Sequence, residues 1–149
     1  MRSLRLGLAA AVFAVATAGA AFAHHNPMEG FDEKAPIVIN GAITKIDWSG
    51  EHVQVYLAGK DGTSWKVQVA PAKTMRENGL DEAAFGMRES VVIRGFRSKD
   101  KACKPDCIAT GGDVTFSDGL KVKLDGTHAK EQAKAVHDQR VALRASLRP

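Results

Sequence analysis

The chain has 149 residues, a formal charge of +4, 44% hydrophobic and 26% charged residues, and two cysteines. That length holds one ordinary domain. The charge excess falls to +2 once the basic residues of the leader are removed, too little to suggest a nucleic-acid partner.

The chain opens with Arg2 and Arg5, an apolar run over residues 6–18, and the small-residue pattern Ala21-Phe22-Ala23. This is the layout of a secretory signal peptide cleaved after Ala23, and the run is shorter than the roughly 20 residues a spanning helix needs. The mature protein is therefore expected to be periplasmic or secreted, with no membrane insertion after cleavage, and to begin at His24.

Residues 24–36 read as an N-terminal arm. A long first strand follows over residues 36–48, and its apolar positions change face: Ile37, Ile39 and Ile43 share one parity, Ile46 and Trp48 the other. Such a switch predicts a bulge or sharp bend near Gly41 or Thr44. Val53, Val55 and Leu57 then alternate with Gln54 and Tyr56. Beyond the turn Gly59-Lys60-Asp61-Gly62, Trp65, Val67 and Val69 alternate with Lys66 and Gln68. Together these make a hairpin with one apolar face.

Pro71 ends the hairpin, residues 71–78 have helical composition, and Gly79 is placed to cap that helix, with a second short turn over 81–85. Strand character returns over 90–97. A polar loop over 98–105 follows, then a weaker strand over 108–116 interrupted by Gly111-Gly112, then the turn Ser117-Asp118-Gly119 and a last strand over 120–123. Thr127 is placed to cap a helix reaching about Ser146, with Glu131 as a first-turn acid. Its stripe of Ala129, Ala133, Val136 and Leu143 is thin and broken by Arg140, which predicts a solvated basic helix that the rest of the fold can lose.

The organisation expected is a signal peptide over 1–23, an arm over 24–36, an OB-like β domain over 37–124 and a helical or flexible basic tail over 125–149. The fold class is mainly β. A long bent strand, a hairpin, a helix between strands three and four, and one or two closing strands is the order of a small OB-like β-barrel. A small open sheet with one helix across it is the alternative.

Cys103 and Cys107 stand in Cys-Lys-Pro-Asp-Cys. In an oxidising compartment so close a pair predicts a disulfide, with a soft-metal thiol site as the rival reading. Closing so short a loop would contribute only about 2 kcal/mol on the loop-entropy model.

Several stretches carry a likeness: Ala23-His24-His25, residues 31–36 followed by Gly41 and Asp47-Trp48, His52, Ala70-Pro71, Gly79 and residues 91–100. Over residues 23–123 the chain resembles an uncharacterised family of short exported bacterial proteins, domain of unknown function 6152. The resemblance implies a small OB-like barrel and brings no enzymatic activity. The chain departs from that pattern at Gly50-Glu51, where the family usually has Asn-Pro, in its cysteine pair, and in the helical segment after Asp125.

No enzyme is expected. The sequence has no Gly-rich phosphate loop, nucleophile elbow, His-Glu-x-x-His or Cys-x-x-Cys pair. The adjacent acids Asp32-Glu33 and Asp81-Glu82 read as solvated turn or helix-start residues, and His128 and His137 as exposed positions of the tail. His24 and His25 differ, because cleavage places them at a new N-terminus. An α-amine beside an imidazole closes one chelate ring and favours copper(II) among first-row divalent metals. The predicted metal set is His24, His25 and His52, with copper as the cofactor. The function expected is an exported binding module. The alternative is a metal-free module that binds a small ligand or a periplasmic protein, with Trp48, Tyr56, Trp65 and Phe96 as aromatic candidates, most of which fit the core parity.

Overall fold

The computed structural model describes residues 26, 28–125 and 130–147. In chain order these form β1 (Phe31–Asp47), β2 (Gln54–Gly59), β3 (Ser64–Gln68), α1 (Ala72–Glu77), β4 (Ser90–Ser98), β5 (Cys107–Phe116), β6 (Lys121–Lys123) and α2 (Lys130–Ser146). The chain is mainly β, with one helix between the third and fourth strands and another at the C-terminal side, as its patterning predicts.

The strands make one sheet in the order β3-β2-β1-β4-β5-β6. Neighbours in that order are antiparallel. In addition β3 pairs in parallel with β5, from Trp65 opposite Cys107 to Gln68 opposite Thr110. Strand pairing therefore runs β1–β2–β3–β5–β4 and returns to β1.

One strand makes that closure feasible by serving two neighbours. The first part of β1 pairs with β4 and the second part with β2. The register with β2 shifts between Ile43 and Lys45, which puts the irregularity at Thr44, where the change of face requires it. Ile39 and Ile43 are buried before the shift, and Ile46 and Trp48 pack on the core after it. Gly41 lies in the stretch paired on both sides, where a Cβ would stand 2.4 Å from the Ala58 carbonyl oxygen.

β1 begins earlier than the sequence reading placed it. Phe31 is buried and pairs with Ser98, so residues 31–36 of the expected arm are strand. Pro36 has no N–H to give a ladder, and here it ends a register irregularity that begins after Phe31 instead of starting the strand.

The core lies inside the ring of strands. Val55, Leu57, Val67 and Trp65 come from the hairpin, Ile93 and Val114 from β4 and β5, and Met75, Leu80 and Phe85 from α1 and the loop after it. Phe85 meets Phe116 edge to face, with centroids 5.8 Å apart. Gly79 takes a positive φ of 80° just past the end of α1, as a helix-ending glycine should.

The basic C-terminal helix is not a solvated tail. Ala133, Val136 and Arg140 are its buried residues, and Val136 belongs to the core cluster. The Arg140 guanidinium lies 3.7 Å from the Phe116 ring centroid, donates through Nε to the Ala84 carbonyl at 3.3 Å and pairs with Glu89. Arg144 donates to the Glu82 carbonyl at 3.2 Å and also to that of Ala83. The stripe misread at Arg140 is continuous once the arginine's aliphatic stem and stacked head count as packing surface. Thr127, Ala129 and His128 lie outside the described residues.

His137 and Asp81, both expected to be solvated, meet at 3.1 Å across α2 and the loop after α1. Asp81 Oδ1 also accepts the backbone N–H groups of Ala83 and Ala84, each at 2.9 Å. Burial pushes the Asp81 carboxyl up, but the amides of Ala84 and Ala83 and the His137 side chain more than offset it, so it lies below its usual 3.8. A carboxylate lowered on folding adds stability above its unfolded pKa and loses it as pH falls through the lower folded value. Asp81→Ala should therefore cost about 1 kcal/mol at pH 7, the scale for a part-exposed side chain that holds a turn through its hydrogen bonds. In urea unfolding this cost should shrink as pH falls below the usual carboxylate range, because protonation removes the charge that the Ala83 and Ala84 amides and His137 favour.

Candidate functional site

A concavity opens where two paired strands part. β3 and β5 run together up to Gln68 and Thr110. The chain then turns into α1 at Pro71, while β5 continues through Gly111 and Gly112 toward β6. The gap is a cleft of about 350 Å³. Met28, Val69, Ala70, Pro71, Phe96 and Leu124 supply its apolar lining, and Gly111 and Gly112 line it without side chains. Polar groups come from Gln68, Thr74, Thr110, Asp125 and His52. A mostly apolar cleft with a few polar groups at its edge is the usual form of a small-ligand site.

His52 is half-buried in the turn between β1 and β2 and lines this cleft. Met28, on the segment that enters β1, lines it too. The structure thus puts one predicted metal residue at the cleft, together with a thioether three positions beyond His25. His24 and His25 lie outside the described residues. Among the described residues no group of three His, Cys, Asp or Glu side chains is gathered for a metal.

Of the four aromatic candidates, Trp65 is in the core and Trp48 packs against it. Arg76 stacks on Trp48 at 5.5 Å and Lys45 on Tyr56 at 5.1 Å. Only Phe96 faces the cleft. Cys103 and Cys107 are joined as a disulfide. The cleft residues that sequence reasoning passed over, Gln68, Thr74, Thr110 and Asp125, carry no motif. The available signals were the proline and the double glycine, which say where two strands cannot stay paired.

Fold and site define a small β protein whose sheet closes on itself around a core and opens a cleft at the end of its parallel seam. The chain belongs to the family of unknown function DUF6152, whose model matches residues 11–105. The match begins inside the predicted leader and ends between the two cysteines, so β5, β6 and α2 lie beyond it. No curated protein and no solved structure matches the chain.

Proposed function

We propose that the protein is an exported binding module of OB-like barrel form that holds copper(II) at the mouth of this cleft through His24, His25 and His52. The observation that carries the reading is that Met28 and His52 line the same cleft. Asn26 is turned back beside Met28, accepting the Met28 N–H on its Oδ1 and the Glu29 N–H on its carbonyl, so the proposed mature chain starts only two residues before a turn at the cleft. The α-amine and imidazole of His24 would form one chelate ring, with His25 and His52 supplying further imidazoles. The ring of strands, with its parallel β3–β5 seam and a helix between β3 and β4, supports the OB-like reading. The family match extends into residues 11–23, which supports a shared leader.

A metal-free reading is favoured by one feature, the apolar lining of Val69, Pro71, Phe96 and Leu124, which suits a small apolar ligand or peptide side chain. Competition titration separates the two. Mature protein starting at His24 should bind one copper(II) at least about tenfold more tightly than the same chain with one residue added before His24. His52→Ala should also weaken binding, and affinity should fall as pH drops through the imidazole range near about 6.5. Equal affinities for the native and extended N-termini would remove the amine from the ligand set and leave the metal-free module.

A further inference from the structure

The Cys103–Cys107 bridge contributes little as a staple. It closes a separation of only four residues, and the strand that starts at Cys107 is already held by β3 on one side and β4 on the other. Its two sulfurs differ sharply in setting. Cys103 is exposed, whereas Cys107 is 3% exposed and belongs to the core cluster. One guanidinium serves both. Arg97 Nη2 lies 3.2 Å from the Cys103 sulfur and 4.0 Å from that of Cys107. Stacking at 5.6 Å on the buried Trp65 ring steadies the guanidinium there. Lys99, Lys101 and Lys104 add positive charge along the loop, against Asp100 and Asp106.

We propose that this pair is a thiol–disulfide exchange site that accepts two electrons from the exposed dithiol of another exported protein. A substrate thiolate attacks the Cys103 sulfur and forms a mixed disulfide. The Cys103–Cys107 bond breaks, and its electron pair leaves on Cys107 as a thiolate beside Arg97. The second substrate thiol loses its proton to solvent and attacks the substrate sulfur of the mixed disulfide. Cys103 then leaves as a thiolate, again beside Arg97. The substrate's two thiols become one disulfide, and the pair ends as a dithiol once its sulfurs take up protons. A nearby cation stabilises a departing thiolate, and a better leaving group speeds exchange. The exposure difference fixes which sulfur is attacked, and Arg97 acts as a positioning residue for the charge that forms.

The test mixes oxidised mature protein with a reduced synthetic dithiol peptide, quenches with an alkylating agent and counts thiols by mass spectrometry. The protein should react at least about tenfold faster than an isolated peptide of residues 97–110 bearing the same disulfide, because only the folded chain holds the cation at the sulfurs. Arg97→Gln should slow exchange about threefold to tenfold, and Arg97→Lys should restore most of the rate by keeping the charge. Offered a linear disulfide such as oxidised glutathione, Cys107→Ser should attack it through Cys103, expel one thiolate and keep the mixed disulfide, whereas Cys103→Ser should form none on the buried Cys107. Equal rates for protein and isolated peptide, or an Arg97→Gln rate equal to that of the parent, would overturn the proposal. The Arg97 variants keep both cysteines, so that comparison decides the matter even if a cysteine variant fails to fold.

Discussion

Arg140→Ala is expected to cost about 3–5 kcal/mol of unfolding free energy, the scale for removing one partner of a buried ion pair. The side chain is fully buried, yet it carries a charge that finds Glu89, the Ala84 carbonyl, the face of Phe116 and, at 3.7 Å, Asp118. Truncation strands the Glu89 carboxylate, only 11% exposed, without its cation and opens a void against Phe116. The network is imperfect, because Arg140 Nη1 has no hydrogen-bond partner among the described residues. Arg140→Met combined with Glu89→Gln should therefore recover much of the loss, since an apolar stem keeps the contact with Phe116 and the Glu89 carboxylate is gone, while Asp118 still accepts from Gln139 and the Leu120 N–H. Removing residues 130–149 should cost at least as much as Arg140→Ala. Urea unfolding of the chain from residue 24 onward is the measurement. A loss below about 1 kcal/mol, typical of a surface change, would mean that α2 does not stay docked in solution.

Arg140 also marks where the sequence stopped being readable. Strand periodicity placed the hairpin and the later strands, because alternation over five or more residues reports which face is buried regardless of what covers it, and Pro71, helical composition and Gly79 placed the helix between them. It placed the Thr44 irregularity too, since a parity change within one strand has few physical causes. Nothing local, however, distinguishes an arginine facing water from one laid over an aromatic ring between two distant acids. Glu89 and Asp118 are 51 and 22 positions away in sequence, and their convergence belongs to the fold. Asp81 and His137 escaped for the same reason: each looked solvated in its own segment, and each is the other's partner. The site was half legible. His52 was singled out and does line the cleft, whereas the cleft itself is a gap between strands that no residue type announces.

Gly95→Ala is the second large effect expected, a loss of about 3 kcal/mol, the scale of a forced backbone shift in a packed region. A Cβ at Gly95 would stand 1.7 Å from the Thr110 carbonyl oxygen and 2.7 Å from its carbonyl carbon, so no side-chain movement relieves the clash. Gly95 faces Gly111 across the β4–β5 ladder, next to a register shift at Arg94, and this close approach lets the two strands bend around the core. Pushing β5 away moves Thr110, which is the last residue of the parallel seam with β3 and donates through Oγ1 to the Gln68 carbonyl at 3.2 Å. The disturbance thus runs straight from one ladder into the closing seam and the cleft beside it. Gly112→Ala is the matched control, because its Cβ would meet only the Arg94 carbonyl oxygen at 3.6 Å, an ordinary contact. That variant should stay within about 0.5 kcal/mol of the parent. Urea midpoints of the two variants, measured side by side, carry the comparison. Equal midpoints would mean that β4 and β5 do not approach so closely at Gly95, and the ring would then have to close by some other bend.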